Sequence, residues 1–389
     1  MTPTINTSSD MRESIWDILR IIRRIQQDNI SFDELIRLLY RETPPAGHNY
    51  LAYHYAPHID KVRRFGDTAV APLFSVVIAT YNRSSLLAKT LAALARQTGF
   101  TQEMFEIVIA DNGSEDATEK VVADFAKSPG KSDIVYIKLR QNYGADFARN
   151  IAVLHLRGSL LAFTDDDCIV PNDWLFEFKK ELDADPEIAG VGGFKEPKPI
   201  DAHLDIYHRF LMWGHFKAPH VRSRVSFSPD NRSGLTANVC YRRDIFDRVG
   251  GFNIYFKRIG FQEFALRVQK FGWPLLYEPR MVEHAASFSF TIHIQKCLAQ
   301  GWGWYLRHVL HPDVWSNPTF FYFLTRTSRE IRDIVFGKAV PPLYSKSLSD
   351  VIRFSLLSAL TKFCLWFGKY WIPLQMRKNP HLASHDTAL

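Results

Sequence analysis

Two glycine signatures are missing from this chain. No GxGxxG follows its first apolar strand, and no GxxxxGK[ST] occurs anywhere. Their absence excludes the usual cradle of a dinucleotide oxidoreductase and that of a P-loop enzyme. Cysteine is also scarce. The four residues, Cys168, Cys240, Cys297 and Cys364, form no CxxC pair, which argues against a disulfide framework and for a reducing compartment. No basic segment followed by an apolar run opens the chain, so no signal peptide is expected and the cytoplasm is the expected location. Low-complexity tracts are absent. With 389 residues, 46% hydrophobic and 23% charged, the composition suits one large or two smaller globular domains.

What is present is unevenly placed. The formal charge is +7, and residues 291–389 hold 12 Lys or Arg against five acids, so the whole excess lies in the last quarter. Such asymmetry points that end toward an anionic surface or acceptor. The strongest local signal is LLAFTDDDCIVP, where the apolar run Leu160 to Phe163 stops in Asp165, Asp166 and Asp167. Three adjacent carboxylates repel one another and resist desolvation. A hard divalent cation relieves that repulsion, so a metal site at a strand end is favoured over a solvated acidic loop.

Along the chain, residues 12–41 carry two apolar stripes at helical spacing, and 42–72 read as a connector rich in Pro, His and Tyr. Strands and helices then alternate: strands over 74–80, 105–110, 134–139 and 160–163, helices over 85–97 and 116–126, and a third that follows the turn Asn142-Tyr143-Gly144 and runs through Arg149 and Leu154. Continuous apolar strands separated by helices imply a mostly parallel sheet covered on both faces, an α/β fold with helical N-terminal and C-terminal extensions. The expected divisions are 1–72, 73–290 and 291–389. Ligands of such sheets sit beyond the carboxyl ends of the strands. Thr80, Tyr81, Asn82 and Arg83, then Asp111 and Asn112, then the acidic triplet all fall at such ends. Without a glycine cradle to hold phosphates, a metal on the carboxylates is the natural substitute.

FSVVIATYNR, IVIADNGSED, NYGADFARN, AFTDDDCIVPNDWL, GLTANVCYRRDIFDRVGGF and FGWPLLYEPRMVEHA follow one another in this order. Together, over residues 72–286, they resemble the family 2 glycosyltransferases of the GT-A fold. The resemblance implies transfer of a sugar from a nucleotide-sugar, usually UDP-linked, to an acceptor with inversion, assisted by Mn²⁺ or Mg²⁺. It assigns Thr80, Tyr81, Asn82 and Arg83 to the nucleotide loop, with Asp111 on the base and Asn112 beside it. Arg149 is assigned to the nucleotide. Asp165 and Asp167 match the metal-binding DxD pair, with Asp166 between them. Cys168 replaces an acid common there. Thr236, Ala237 and Asn238 match the sugar and acceptor side, and His284 a residue near the metal or diphosphate.

The family's catalytic base comes from a Glu-Asp pair that opens a helix. Here that helix reads IGFQEFALRVQKFGW, and counting back from Arg267 the pair falls on Gly260 and Phe261. Neither accepts a proton. Glu263 is the expected base, with a plain helix-dipole role as its alternative. Residues 193–232, rich in His, Phe, Trp and Arg, suit an acceptor lid or simple packing. The last helix contains Arg353, Lys362 and Lys369 among Trp366, Tyr370 and Trp371. An interfacial helix on the inner face of a membrane, or one packed on its own domain or a second copy, fits better than a span. The expected partners are a nucleotide-sugar donor and a glycan, lipid-linked, protein or small-molecule acceptor, without nucleic acid; a homo-oligomer is left open. A catalytically silent nucleotide-sugar-binding scaffold and a nucleotidyltransferase are the rival readings.

Overall fold

The computed structural model describes residues 56–66, 71–99, 101, 104–128, 133–199, 223–225, 237–256, 259–286, 290–314, 320–335 and 348–378. The stripes over 12–41, Thr236 and most of 193–232 lie outside the described residues.

Four strands make the centre, and their β-branched and aromatic composition explains why. They are β2 (Phe74–Thr80), β3 (Phe105–Asp111), β4 (Asp133–Leu139) and β5 (Leu160–Asp165), mutually parallel in the order β4-β3-β2-β5. Side chains alternate across the sheet. Val77, Val108 and Val135 face a core shared with α3 (Ala145–Val153), α5 (Arg243–Val249) and α6 (Gly260–Lys270). Val76, Ile78, Ile107 and Ile109 face the opposite core, shared with α1 (Ser84–Leu94), α2 (Thr118–Ala126) and α4 (Trp174–Ala184). Both faces are covered, as continuous apolar strands require.

The sheet extends further than the parallel core at both edges. β1 (Ile59–Phe65) lies antiparallel to β4, inside the stretch read from sequence as a connector. Its charged residues, Asp60, Lys61, Arg63 and Arg64, suit an edge strand, and Lys61 and Arg63 pair with Glu119 of α2. On the other side the order continues β9 (Val239–Arg242), β7 (Gly190–Pro199), β10 (Leu275–Ala286) and β6 (Cys168–Ile169), with β8 (Ser223–Val225) also on β10. β9 runs against both β5 and β7, and β10 runs with β7. Two reversals cancel, so β7 and β10 point the same way as β2 to β5. Six carboxyl ends therefore open on one side of the sheet.

Three helices follow: α7 (Phe290–Leu310), α8 (Phe320–Val335) and α9 (Leu348–Lys378). α7 and α9 touch backbone to backbone, since a methyl group on Gly301 would overlap Leu365 O and one on Gly368 would overlap Leu298 O. The third core joins these helices to the approach to α6: Phe256 and Ile259 pack with Trp302, Leu306, Val309 and Leu365. The C-terminal helices thus rest on the chain's own sheet domain. Val351–Tyr370 is long and apolar enough to cross a membrane by length and composition, with a mean hydropathy of 1.4 and a third of it buried against the protein.

Candidate active site

The acidic triplet lies where the carboxyl ends converge. Asp165 closes β5, and Asp166 and Asp167 form the turn into β6. That turn is pinned from two sides. The Thr90 hydroxyl of α1 reaches both Asp166 O and Cys168 O, and the Ala285 N–H donates to Asp167 O at 2.8 Å. Pairing of β6 with β10 sets Cys168 opposite His284, which brings His284 Nε2 to 3.3 Å from Asp167 Oδ1.

The expected repulsion among the three carboxylates is met by the protein's own cations. Arg149 Nη2 donates to Asp165 at 2.7 Å, and Lys195 Nζ stands 3.6 Å from its other oxygen. One nitrogen of Arg83, Nη1, bridges Asp166 (3.1 Å) and Asp167 (2.8 Å). Thr80 Oγ1 donates to Asp166 Oδ2 at 2.8 Å. The three carboxyls consequently differ. Burial would lift all of them. Lys195, Arg149 and His284 overcome it and hold Asp165 well below the usual carboxylate range. His284 holds Asp167 below it as well. At Asp166, burial with the neighbouring Asp167 outweighs Arg83 and Thr80, and its pKa rises to about 6.

Asp165, Asp167 and Cys168 offer ligand atoms within 4.8 Å of one another. The thiol is a poor member of that set. Burial, then the charge of Asp165, push its pKa well up, so it stays protonated near Asp167 Oδ1. Hard oxygen from Asp165 and Asp167 remains, the donor type Mn²⁺ and Mg²⁺ take. The residues fit such an ion.

The wall of the crevice is a clasp between loops. Asn82 has φ +51°, a left-handed conformation that Asn tolerates. Its N–H donates to Ser114 Oγ at 2.9 Å and its side-chain oxygen accepts from Glu115 N at 2.8 Å. Ser84 N donates to Asp116 in parallel. Asn112 accepts from Tyr143 N and donates to Asn142, tying in the loop after β4. Tyr81 stands exposed on the rim. Arg149 is clamped between Asp146 Oδ1 (2.8 Å) and Asp165.

Four expected ligand contacts take a different form. Asp111 does not face the crevice. Its carboxylate is fully buried, accepts from Ser114 N at 2.8 Å and from the Tyr136 hydroxyl, and shapes the loop from within. Ala237 and Asn238 are also interior. Asn238 accepts from Trp174 Nε1 at 2.8 Å and donates to Phe194 O and Arg280 O, which locks β9 to its surroundings. Glu263 is 1% exposed. Arg267 Nε and Nη2 hold its two oxygens at 2.6 and 2.9 Å, and His311 Nε2 lies 3.5 Å away. Burial would raise its pKa, but Arg267 and His311 outweigh that and keep it lowered. A carboxylate so held anchors α6 and is badly placed to take an acceptor proton. Sequence reasoning missed Lys195, Thr90 and Asp146. None sits at a strand end or in a charge cluster that would have marked it.

Residues 75–258 match the family model described as Glycosyl transferase family 2. Glycosyltransferase AglE of Haloferax volcanii is 32% identical over 213 residues, 54% of this chain and 66% of that protein. Validoxylamine A glucosyltransferase of Streptomyces hygroscopicus subsp. jinggangensis is 42% identical over 101 residues, 26% of this chain and 23% of its own length. The chain thus covers less than a quarter of the second relative. A solved mannosyltransferase of Pyrobaculum calidifontis, in complex with GDP-Man and Mn²⁺, superposes over 89% of this chain and 98% of that one with a TM-score of 0.49 at 16% identity.

Proposed function

Residues 75–258 being a family 2 glycosyltransferase domain, we propose that this protein moves a sugar from a nucleotide-sugar, UDP-linked, to an acceptor hydroxyl with inversion at the anomeric carbon. One observation carries the reading: Asp165 and Asp167 lie within 4.8 Å of each other beneath a ring of Arg83, Arg149, Lys195 and His284. Two hard ligands alone would suit a cation. Four basic groups around them suit a cation together with the diphosphate it neutralises.

Asp165 and Asp167 would hold Mn²⁺ or Mg²⁺, which supplies Lewis acidity toward the departing diphosphate. Arg83, nearly half exposed, and Lys195 are free to reorient from carboxylate to phosphate oxygens. The clasped loops after β2, β3 and β4 form a preorganised wall for the nucleotide, and the Tyr81 ring offers a stacking face at its rim.

The same reading makes the protein a cytoplasmic enzyme peripheral to the membrane's inner face. Ile352, Leu356, Phe363 and Tyr370 are all exposed on α9, in the quarter of the chain that carries the excess of Lys and Arg. Apolar side chains beside basic ones suit an anionic lipid surface. A catalytically silent binder draws its support from Glu263, whose carboxylate is sealed away. Turnover separates the two. In a thermal-shift screen of UDP-glucose, UDP-galactose, UDP-N-acetylglucosamine and GDP-mannose, at least one should stabilise the protein when Mn²⁺ is present. That nucleotide-sugar should also be slowly hydrolysed. Neither shift nor hydrolysis in any pairing would end the proposal.

A further inference from the structure

The first residue of α6 has no side chain, and a carboxylate from another helix stands in its place. A methyl group built on Gly260 would overlap Asp146 Oδ2 and lie 3.2 Å from Asp146 Cγ. Asp146, in the first turn of α3, therefore fills the volume that any side chain at position 260 would claim.

Its connections lead to the acidic floor. Asp146 Oδ1 accepts from Arg149 Nη1 at 2.8 Å, and the same guanidinium donates to Asp165 at 2.7 Å. Oδ2 is different. Among the described residues no donor is hydrogen-bonded to it, and the side chain keeps 14% of its exposure. The other carboxylates described here are committed. Asp165, Asp166 and Asp167 face Arg149, Lys195, Arg83 and His284, Asp111 is sealed by Ser114 and Tyr136, and Glu263 is held by Arg267.

We propose that Asp146 is the general base of the transfer, its Oδ2 taking the proton of the acceptor hydroxyl. The proposal rests on the glycosyltransferase reading above. As the acceptor oxygen bonds to the anomeric carbon, its O–H proton passes to Asp146. The bond from that carbon to the diphosphate oxygen breaks, and its electron pair leaves with the nucleoside diphosphate. In hydrolysis water takes the acceptor's part. Burial raises the pKa of Asp146, reinforced by Asp165 and Glu263 and opposed by Arg149, a direction that favours accepting a proton. Arg149 fixes the carboxylate through Oδ1 and leaves Oδ2 for the substrate.

Asp146 could instead serve only to orient Arg149, and two variants separate the roles. The assay is hydrolysis of whichever UDP-sugar the wild type turns over fastest with Mn²⁺, alongside the thermal shift given by UDP and Mn²⁺. Asp146→Asn should lower kcat by 10²-fold or more, the scale of a general base, with KM and the UDP shift retained. Moving the carboxylate across, as Gly260→Asp in an Asp146→Ala background, should recover at least tenfold over Asp146→Ala alone. Retention of kcat within threefold in Asp146→Asn would overturn the proposal. So would loss of the UDP shift in step with kcat and no recovery on transfer of the carboxylate, which is the signature of a residue that only holds Arg149. A wild type that turns over no nucleotide-sugar would overturn the underlying reading and this proposal with it.

Discussion

Arg267 grips Glu263 from one turn further along α6, donating through Nε and Nη2 to both carboxylate oxygens at 2.6 and 2.9 Å. The same guanidinium donates to Val249 O, at the end of α5, and to Gly251 O just beyond it. Removing one partner of such a pair strands the other charge in the interior, at a cost of about 3–5 kcal/mol. Glu263→Ala is expected to lose stability on that scale, seen as a lower urea midpoint with an unchanged slope. A variant as stable as the wild type would contradict the anchoring role.

Metal binding can be read without turnover. Mn²⁺ alone should raise the wild-type melting temperature, by the equivalent of about 2.7 kcal/mol at a hundredfold excess over Kd. Asp167→Asn should erase that increase. If the increase persists in the variant, the ion binds elsewhere.

Arg83 competes with a cation for the same oxygens, since its Nη1 lies 3.1 and 2.8 Å from Asp166 and Asp167. Deleting one positive charge from that position should tighten Mn²⁺ binding to the nucleotide-free protein about tenfold, a modest part of the unscreened attraction because Arg83 is half in solvent. Arg83→Ala should at the same time weaken UDP binding. Calorimetric titration with each ligand measures both, and weaker Mn²⁺ binding would count against the competition.

Asp166 makes stability depend on pH in an unusual direction. Its carboxyl is lifted from 3.8 to about 6 on folding, so the folded protein holds this proton more tightly than the unfolded chain. The resulting stabilisation is complete below about pH 4 and is lost as pH rises through about 6. Asp166→Asn removes the titration and should gain on the wild type by about 1–2 kcal/mol between pH 5 and pH 8. Urea unfolding of both proteins across that range tests it, and parallel profiles would refute the shift.

The strands β2, β3, β4 and β5 were legible because each is a predominantly apolar run, and the helices between them because Leu87, Leu91 and Leu94, or Val121, Val122 and Phe125, keep helical spacing. β1 was not, because IDKVRRF sets its apolar residues Ile59, Val62 and Phe65 three apart rather than alternating, and its strand character comes from the partner β4. The acidic triplet was legible as a cluster, but its cations were not. Lys195 reaches Asp165 only because β5 and β7 both pair with β9, which brings together segments far apart in the chain. Asp111 shows a second limit. Position at a strand end fixes where a carboxylate starts, while the Tyr136 hydroxyl from the neighbouring strand decides that it turns inward. Glu263 shows the same for helices, since its fate follows from Arg267 one turn on and from His311 beyond α7.

The seam between α7 and the start of α6 limits how this chain can be recombined. Phe256 and Ile259, both buried, owe their cover to α7 and its neighbours, and His311 reaches across to Glu263. A chain ended at residue 290 would present that apolar surface to water and leave the first turn of α6 unsupported, the turn against which Asp146 lies. A chimera that exchanged tails between relatives would need to exchange 254–263 along with 290–313. The first turn of α6 and the tail are therefore a matched pair in packing.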